Sequence, residues 1–359
     1  MTPARESLKV AGVHTDAHSA PLLVRAARRE PVGHRPVWFM RQAGRSLPEY
    51  RTIRKTADLF TICKDPALCA EVTLQPVRRL GVDGAVLFAD IMLPVAFGLG
   101  VDLRLVEDVG PVIDQPIRSR GDIERLRSLH PQESVPFVLD TIRLLRRELH
   151  PSVAVIGFAG APFTLAGYLI EGKPSRDFLL TKAMMYGEPD LWNDLMERLS
   201  GLVLAYLQAQ VDAGAQVVQL FDSWVGTLSP SDYQRYVQPH VARIFQGLRD
   251  TGAPTVHFGT GTAALLPSMR DAGGDVIGLD WRVDLAEAWA TVGFDRAVQG
   301  NLDPAAVLAP WPVVEQKARD VIALAGSRPG HIFNLGHGVL PATPVEHLQR
   351  LVELVHAAP

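Results

Sequence analysis

Arg41, Arg45, Arg51, Arg54 and Lys55 all fall within the stretch 38-WFMRQAGRSLPEYRTIRK-55, together with Trp38, Phe39 and Tyr50. A guanidinium is a planar fork that pairs bidentately with carboxylate or phosphate, so a cluster of this kind points to a ligand carrying several such groups. Arg41 and Arg45 are four residues apart, and Arg51 and Arg54 three apart. Short helical pieces on either side of Leu47-Pro48 would each present one pair on one face. A solvated basic surface helix is the competing explanation. Phe39, Met40, Leu47 and Tyr50 speak against it, because they interleave apolar bulk with the charges.

The chain as a whole offers no bulk field to explain such a cluster. Its 359 residues carry 36 basic and 39 acidic side chains, a net charge of -3, and the isoelectric point is about 6.4. A near-neutral balance gives no general attraction for nucleic acid or an anionic membrane, so neither is expected as a partner. With 47 % hydrophobic and 21 % charged residues, the composition is that of a folded soluble protein. Cys63 and Cys69 are the two cysteines, too few for a disulfide framework, and packing in a reducing compartment is their expected role. Residues 1–20 contain no apolar stretch of signal-peptide type and are expected to be a loose tail ahead of a domain spanning 21–359. A cytoplasmic location is expected.

Eight apolar runs are candidate strands: 37-VWFM, 84-GAVLFAD, 153-VAVIGFAG, 216-QVVQLFDS, 255-TVHFG, 275-DVIGLDW, 296-RAVQGN and 331-HIFNLG. Stretches of helical spacing lie between most of them, among them 66-PALCAEVTLQPVRRLG, 135-VPFVLDTIRLLRREL, 190-DLWNDLMERLSGLVLAYLQAQVDAG and 344-PVEHLQRLVELVHAA. This alternation predicts an α/β fold, a single-domain (β/α)8 TIM barrel, with a doubly wound open sheet as the alternative. The segment 98-GLGVDLRLVEDVGPVIDQPI followed by 121-GDIERLRSL reads as an inserted hairpin and helix. In a (β/α)8 barrel the active-site cleft forms at the C-terminal ends of the strands. Those ends carry Arg41, Asp90, Gly157 with Phe158, Asp222 with Ser223, His257, Asp280, Asn301 and His337, a polar ring of mixed sign.

PVWFMRQAGRSLPEYR at 36–51 resembles the N-terminal signature of the uroporphyrinogen decarboxylase family, and GFAGAPFTLAGYLIEG at 157–172 resembles its second signature. Further similar segments are 66-PALCAEVTLQPVRRLGVDGAVLFADI, 219-QLFDSW, 278-GLDW, 300-GNLDP and 334-NLGHG, so the resemblance runs from about residue 20 to the C-terminus. Ser46 departs from the pattern, since the family usually carries an aromatic residue there. Ser46 and Glu49 have capping-box spacing, so Ser46 is expected to start the short helix instead.

The resemblance implies a carboxy-lyase of haem biosynthesis that uses no cofactor and no metal. It removes the carboxyl groups of the four acetate side chains of uroporphyrinogen to give coproporphyrinogen. A substrate with eight carboxylates would account for the arginines, and Arg41, Arg45 and Arg54 match family positions that contact or balance them. Asp90 matches the family's essential aspartate, although capping of the following turn is an equally common use of aspartate after a strand. Arg41 matches the favoured proton donor, but with an ordinary pKa above about 12 an arginine is a poor acid, and a carboxylate clamp is its other role. Tyr168 and Ser223 match residues that line the pocket and hydrogen-bond the substrate; a half-buried core tyrosine and a serine capping 224-WVG are their plainer explanations. His337 matches a substrate contact, against a histidine satisfied by loop carbonyls. Phe158 and Phe221 would furnish apolar walls or simply pack in the core. The family also implies a homodimer.

Relatives of this fold transfer methyl groups and hold zinc through a His-x-Cys pair late in the barrel and a further cysteine near the C-terminus. Here the matching stretch is 256-VHFG. Gly259 stands where the cysteine would be, and no cysteine follows Cys69. His257 is therefore expected to be a core or supporting residue. A tetrapyrrole-binding scaffold without activity would keep the arginines and have no need of Asp90.

Overall fold

The computed structural model describes residues 20–44, 46–106 and 110–358. The expected N-terminal tail, apart from Ala20, and Arg45 lie outside the described residues. Strand β1 is Gly84–Val86, β2 Leu103–Val106, β3 Gly110–Ile113, β4 Ala154–Gly160, β5 Val217–Asp222, β6 Thr255–Gly259, β7 Val276–Gly278, β8 Ala297–Leu302 and β9 His331–Leu335. Seven of these form one parallel sheet in the order β1-β4-β5-β6-β7-β8-β9, while β2 and β3 pair antiparallel as a separate hairpin. The hairpin and the helix Arg120–Glu124 stand where the insertion was expected. Ser119 starts that helix through a reciprocal capping box with Asp122.

The eighth stave is the extended segment around Val37, and it closes the curl. On one side Phe333 N–H donates to Pro36 O (2.9 Å) and Trp38 N–H to Phe333 O (3.3 Å); on the other, Asp83 N–H donates to Val37 O (2.9 Å). The strand expected over 37–40 shrinks to a single bridge, Val37 to Phe333. Its end is set by a turn at Met40–Arg41, where Arg41 takes the left-handed conformation (φ 59°).

The expected helices occur at Pro66–Leu80, Pro136–Glu148, Pro189–Ala213 and Val345–Ala357. Pro66–Leu80 illustrates why. Asp65 accepts from the Ala67 and Leu68 amides, proline occupies the first turn where no N–H is needed, and Gly81 ends the helix at φ 74°. Most residues of the sheet strands are buried, as parallel strands covered by helices must be. The interior of the barrel is nevertheless laced by hydrogen bonds. Trp38 Nε1–H donates to Gln299 Oε1 (3.0 Å) and Gln299 Nε2–H to Gln219 Oε1 (3.0 Å), with all three side chains essentially sealed from water.

Two local expectations fail. Residues 40–44 form a turn, so Arg41 and Arg45 are not paired on a helix; only the downstream piece, Pro48–Arg54, is helical. Leu47, not Ser46, precedes that helix, and no side chain caps it. Pro48 at the first position already lacks one of the amides a cap would serve. The Ser46 hydroxyl is instead buried, with no hydrogen-bond partner among the described residues.

Candidate active site

Arg41 sits on the turn that ends the first stave, and its backbone is held from several sides. Met40 N–H donates to Asn334 Oδ1 (3.1 Å), Phe39 N–H to Gln42 Oε1 (2.9 Å), and Gln42 Nε2–H to Gly84 O (2.7 Å). Its side chain passes over Gly338, where an added Cβ would lie 2.5 Å from Arg41 Cδ. Gly44 serves the same turn, since a Cβ there would lie 2.8 Å from Arg41 O. The guanidinium reaches solvent, and its charge acts on Asp90, Tyr168 and His337. These four side chains, far apart in sequence, share one electrostatic environment at the C-terminal mouth of the barrel.

Asp90 lies four residues beyond β1. Its Oδ1 accepts the Met92 amide (2.8 Å), so the turn-capping role is present. It does not exhaust the carboxylate, which accepts no other hydrogen bond from the described residues. Burial raises the Asp90 pKa, while the Met92 N–H and the positive charge of Arg41 pull it back. Burial outweighs these two, so the net direction is upward. Tyr168, on the helix Pro162–Glu171, is raised in pKa by burial and by Asp90, against a lowering influence of Arg41. Its ring stands edge-on to Trp224 at 6.1 Å.

His337 follows β9. Burial, then the charges of Arg41 and Arg282, push its pKa down to about 4, although Asp280 opposes them. The ring is therefore neutral at pH 7. Arg282 was not singled out in the sequence, though it stands two residues past the strand-end aspartate of 278-GLDW. Asp280 Oδ1 accepts the Arg282 amide and Oδ2 its Nη1, both at 2.9 Å, and Oδ2 also takes the Gly261 amide at 2.5 Å. The guanidinium lies 3.8 Å over the Trp281 ring. This anchoring adds a cation beside His337.

A row of aromatic rings runs up to His337. Phe158 meets Phe221 at 5.4 Å, Phe221 meets Phe258 at 5.8 Å, Phe258 meets His337 at 6.4 Å and His337 meets Trp281 at 6.3 Å, all edge to face. Phe158 is fixed by Gln210, which bonds both its N–H and its C=O. Ser223 is half-buried beside Asp222, with its carbonyl taking the Thr260 hydroxyl (2.5 Å). Arg54 is not drawn into the cluster. Its Nη1–H is donated to Ala57 O (2.7 Å) and its charge acts on Asp58.

Two further strand-end residues are buried rather than presented. His257 packs against Phe245 and the Met269 carbonyl, between the sheet and its covering helices, and burial pushes its pKa down to about 4. It is a core residue, as expected. Asp222 is sealed from water and held by the Thr164 hydroxyl (3.2 Å), with its pKa pushed up to about 7 by burial. Position 259, where a zinc-binding relative would place cysteine, has no room for one: a Cβ on Gly259 would lie 2.7 Å from Thr262 Cγ2.

A family model described as uroporphyrinogen decarboxylase (URO-D) matches residues 18–358. The chain belongs to the uroporphyrinogen decarboxylase family. Among proteins named uroporphyrinogen decarboxylase it is 56 % identical to that of Thermus thermophilus over 334 residues, covering 93 % of this chain and 97 % of the relative. Identity is 55 % to that of Sorangium cellulosum (94 % and 96 % covered) and 53 % to that of Carboxydothermus hydrogenoformans (93 % and 95 %). A solved methyltransferase from Methanosarcina mazei shares the fold, with a TM-score of 0.74 at 18 % identity over 94 % of this chain and 98 % of that one. At that identity the likeness concerns architecture alone. Among the described residues no helix is long and apolar enough to cross a membrane.

Proposed function

We propose that this member of the family is a uroporphyrinogen decarboxylase in activity, converting the four acetate side chains of uroporphyrinogen to methyl groups with release of four CO2. The observation that carries the reading is the convergence of Asp90, Arg41, Tyr168 and His337 at one aromatic-walled mouth, in a chain more than half identical to proteins of that name.

When a carboxylate leaves as CO2 it deposits an electron pair on carbon, and without a cofactor the substrate must accept it. Protonation of a pyrrole α-carbon makes the ring cationic and turns it into the sink. Loss of CO2 leaves a neutral ring with an exocyclic methylene; that carbon takes a proton to become methyl, and the α-carbon gives its proton up to restore the neutral pyrrole, so one proton is consumed for each CO2 released. The Asp90 carboxylate, set among the pyrrole N–H groups, favours the cationic ring more than the neutral one, which is differential stabilisation of the transition state. Arg41 and Arg282 supply positive charge for the substrate's carboxylates, with Arg45 as a further member of that set; Arg54 joins it only by giving up its bond to Ala57 O, and Arg41 is the candidate proton donor beside its role as a carboxylate clamp. Tyr168, Ser223 and neutral His337 offer hydrogen bonds, and Phe158 and Phe221 an apolar wall for the tetrapyrrole. Anaerobic incubation with reduced uroporphyrinogen, followed by separation of products by carboxyl count, tests this. Seven-, six-, five- and four-carboxyl species are expected, with and without a chelator; unchanged substrate would overturn the proposal.

The protein acts in the cytoplasm as a homodimer on this reading. Leu179 (70 % exposed), Leu180 and Tyr186 form an apolar surface on the helix Leu179–Gly187 that a second copy would cover. Leu179→Glu with Leu180→Glu should shift sedimentation from dimer to monomer; an unchanged dimer would place the contact elsewhere.

A further inference from the structure

The opposite face of the barrel, where the strands begin, carries a cluster that the decarboxylase chemistry does not use. Asp83 directly precedes β1, His34 lies ahead of the extended segment, and His356 is in the last turn of the helix Val345–Ala357. His356 Nε2 is 2.8 Å from Asp83 Oδ2 and His34 Nε2 is 3.5 Å from Asp83 Oδ1. One donor atom from each of the three lies within 4.8 Å of the other two. The imidazole rings stand 4.3 Å apart between centroids. Val37 N–H donates to Asp83 Oδ2 (2.8 Å) and so fixes the carboxylate's orientation. The carboxylate side chain is 12 % exposed and the two rings 34 % and 29 %, so the cluster is sheltered yet open on one side.

We propose that His34, Asp83 and His356 form a binding site for a divalent transition-metal ion of the zinc class, held by the two Nε2 atoms and Asp83 Oδ1 with water in the remaining position. Two imidazoles and one carboxylate make a borderline donor set of the kind that takes zinc, nickel or cobalt in preference to magnesium or calcium. Around a tetrahedral ion with bonds of about 2.1 Å, neighbouring donors are separated by roughly 3.4 Å. The 3.5 Å between His34 Nε2 and Asp83 Oδ1 is close to that figure, and the three donors all lie within 4.8 Å of one another, so side-chain adjustment alone brings them onto one ion. Without an ion each ring donates its Nε2–H to the carboxylate. With one, the Nε2 lone pairs face the metal and the N–H of each neutral ring resides on Nδ1. The Val37 amide remains on Oδ2 in both states, as an outer partner that orients a ligating carboxylate.

No motif in the sequence reveals this set, because its members are separated by 49 and 273 residues. That separation gives the ion its effect. It ties a segment near the N-terminus and the C-terminal helix to the start of β1, and an ion that binds only the folded chain raises the unfolding temperature. The reaction at the other face does not involve it, so chelators leave turnover intact while lowering thermal stability.

The test is calorimetric titration of ZnCl2 into the full chain, stripped of metal and then of chelator, at pH 7.5. Wild type, His34→Ala, His356→Gln and the double variant are compared, with circular dichroism as the check on folding. One ion per wild-type chain is expected, with Kd in the micromolar range or tighter. Each single variant should weaken binding at least tenfold, the double variant should abolish it, and decarboxylation should be unchanged throughout. No binding by wild type at 100 μM zinc, or wild-type affinity in the double variant, would overturn the proposal. Cobalt absorption of wild type decides independently should a variant fail to fold. Intense visible bands of four-coordinate Co2+ without thiolate charge transfer are expected, and the weak spectrum of the aqueous ion would contradict the site.

Discussion

At the residue scale the site depends on how Arg41 is held. Its left-handed turn and its passage over Gly338 place the guanidinium where its charge reaches Asp90, Tyr168 and His337. Gly338→Ala inserts a methyl group 2.5 Å from Arg41 Cδ, a flexible neighbour that can move away. The arm should be displaced and the fold kept. We expect kcat/KM to fall at least tenfold with the melting temperature within a few degrees of wild type; unchanged kinetics would mean that this path of the side chain is immaterial. Ser46 shows how a local signal misleads. Its spacing to Glu49 is that of a capping box, but Pro48 and the packing of Leu47 begin the helix one residue later, and the hydroxyl is buried with no partner among the described residues.

At the scale of elements, the barrel interior is tied by the bonds from Trp38 through Gln299 to Gln219, which link the first stave to β8 and β5. Gln299→Leu keeps the volume and strands a buried indole N–H and an amide oxygen. Each orphan costs about 1–3 kcal/mol, so the urea midpoint should fall clearly, while a midpoint equal to wild type would show that the bonds contribute nothing net. The strands and long helices were legible in the sequence because their signals are periodic: apolar runs bounded by polar ends, and caps such as Asp65 with Gly81. The first stave was legible as a strand only in part. Its hydrogen bonds come from two distant neighbours, β9 and Asp83, and a single bridge leaves little periodicity to see. The insertion after β1 was legible from its hairpin pattern and the charged helix-like run behind it, while the Ser119–Asp122 capping box that starts the helix emerged only from the structure.

For the whole molecule, burial sets the response to pH. His257 and His337 are pushed down to about 4 and His331 to about 3, so between those values and about 6.5 the unfolded chain binds protons that the folded chain refuses. Stability therefore falls as pH drops through that window. Asp222, pushed up to about 7, works in the opposite sense: the folded chain holds a proton there that the unfolded carboxyl has lost, and stability declines as pH rises towards 7. At pH 6.5 the three half-protonated histidines of the unfolded chain still outweigh the single proton on Asp222, so stability rises with pH to about 7 and then levels off, which urea unfolding between pH 4.5 and 8 should show; a maximum at pH 5 would contradict these burials. The residues of the candidate site were legible where a strand end carried them or, as for Tyr168 on the helix Pro162–Glu171, where the family resemblance marked them. Arg282 went unseen because its relevance comes from Asp280 and Trp281 folding it back towards His337. The most direct test of the account concerns Asp90. Asp90→Asn preserves the acceptor for the Met92 amide and removes the negative charge, so it separates the capping role from the electrostatic one. Binding of uroporphyrinogen and single-turnover decarboxylation should be measured on the same preparation. We predict binding within a few-fold of wild type and a rate lower by about a thousandfold; a folded variant that decarboxylates within tenfold of wild type would contradict the central claim.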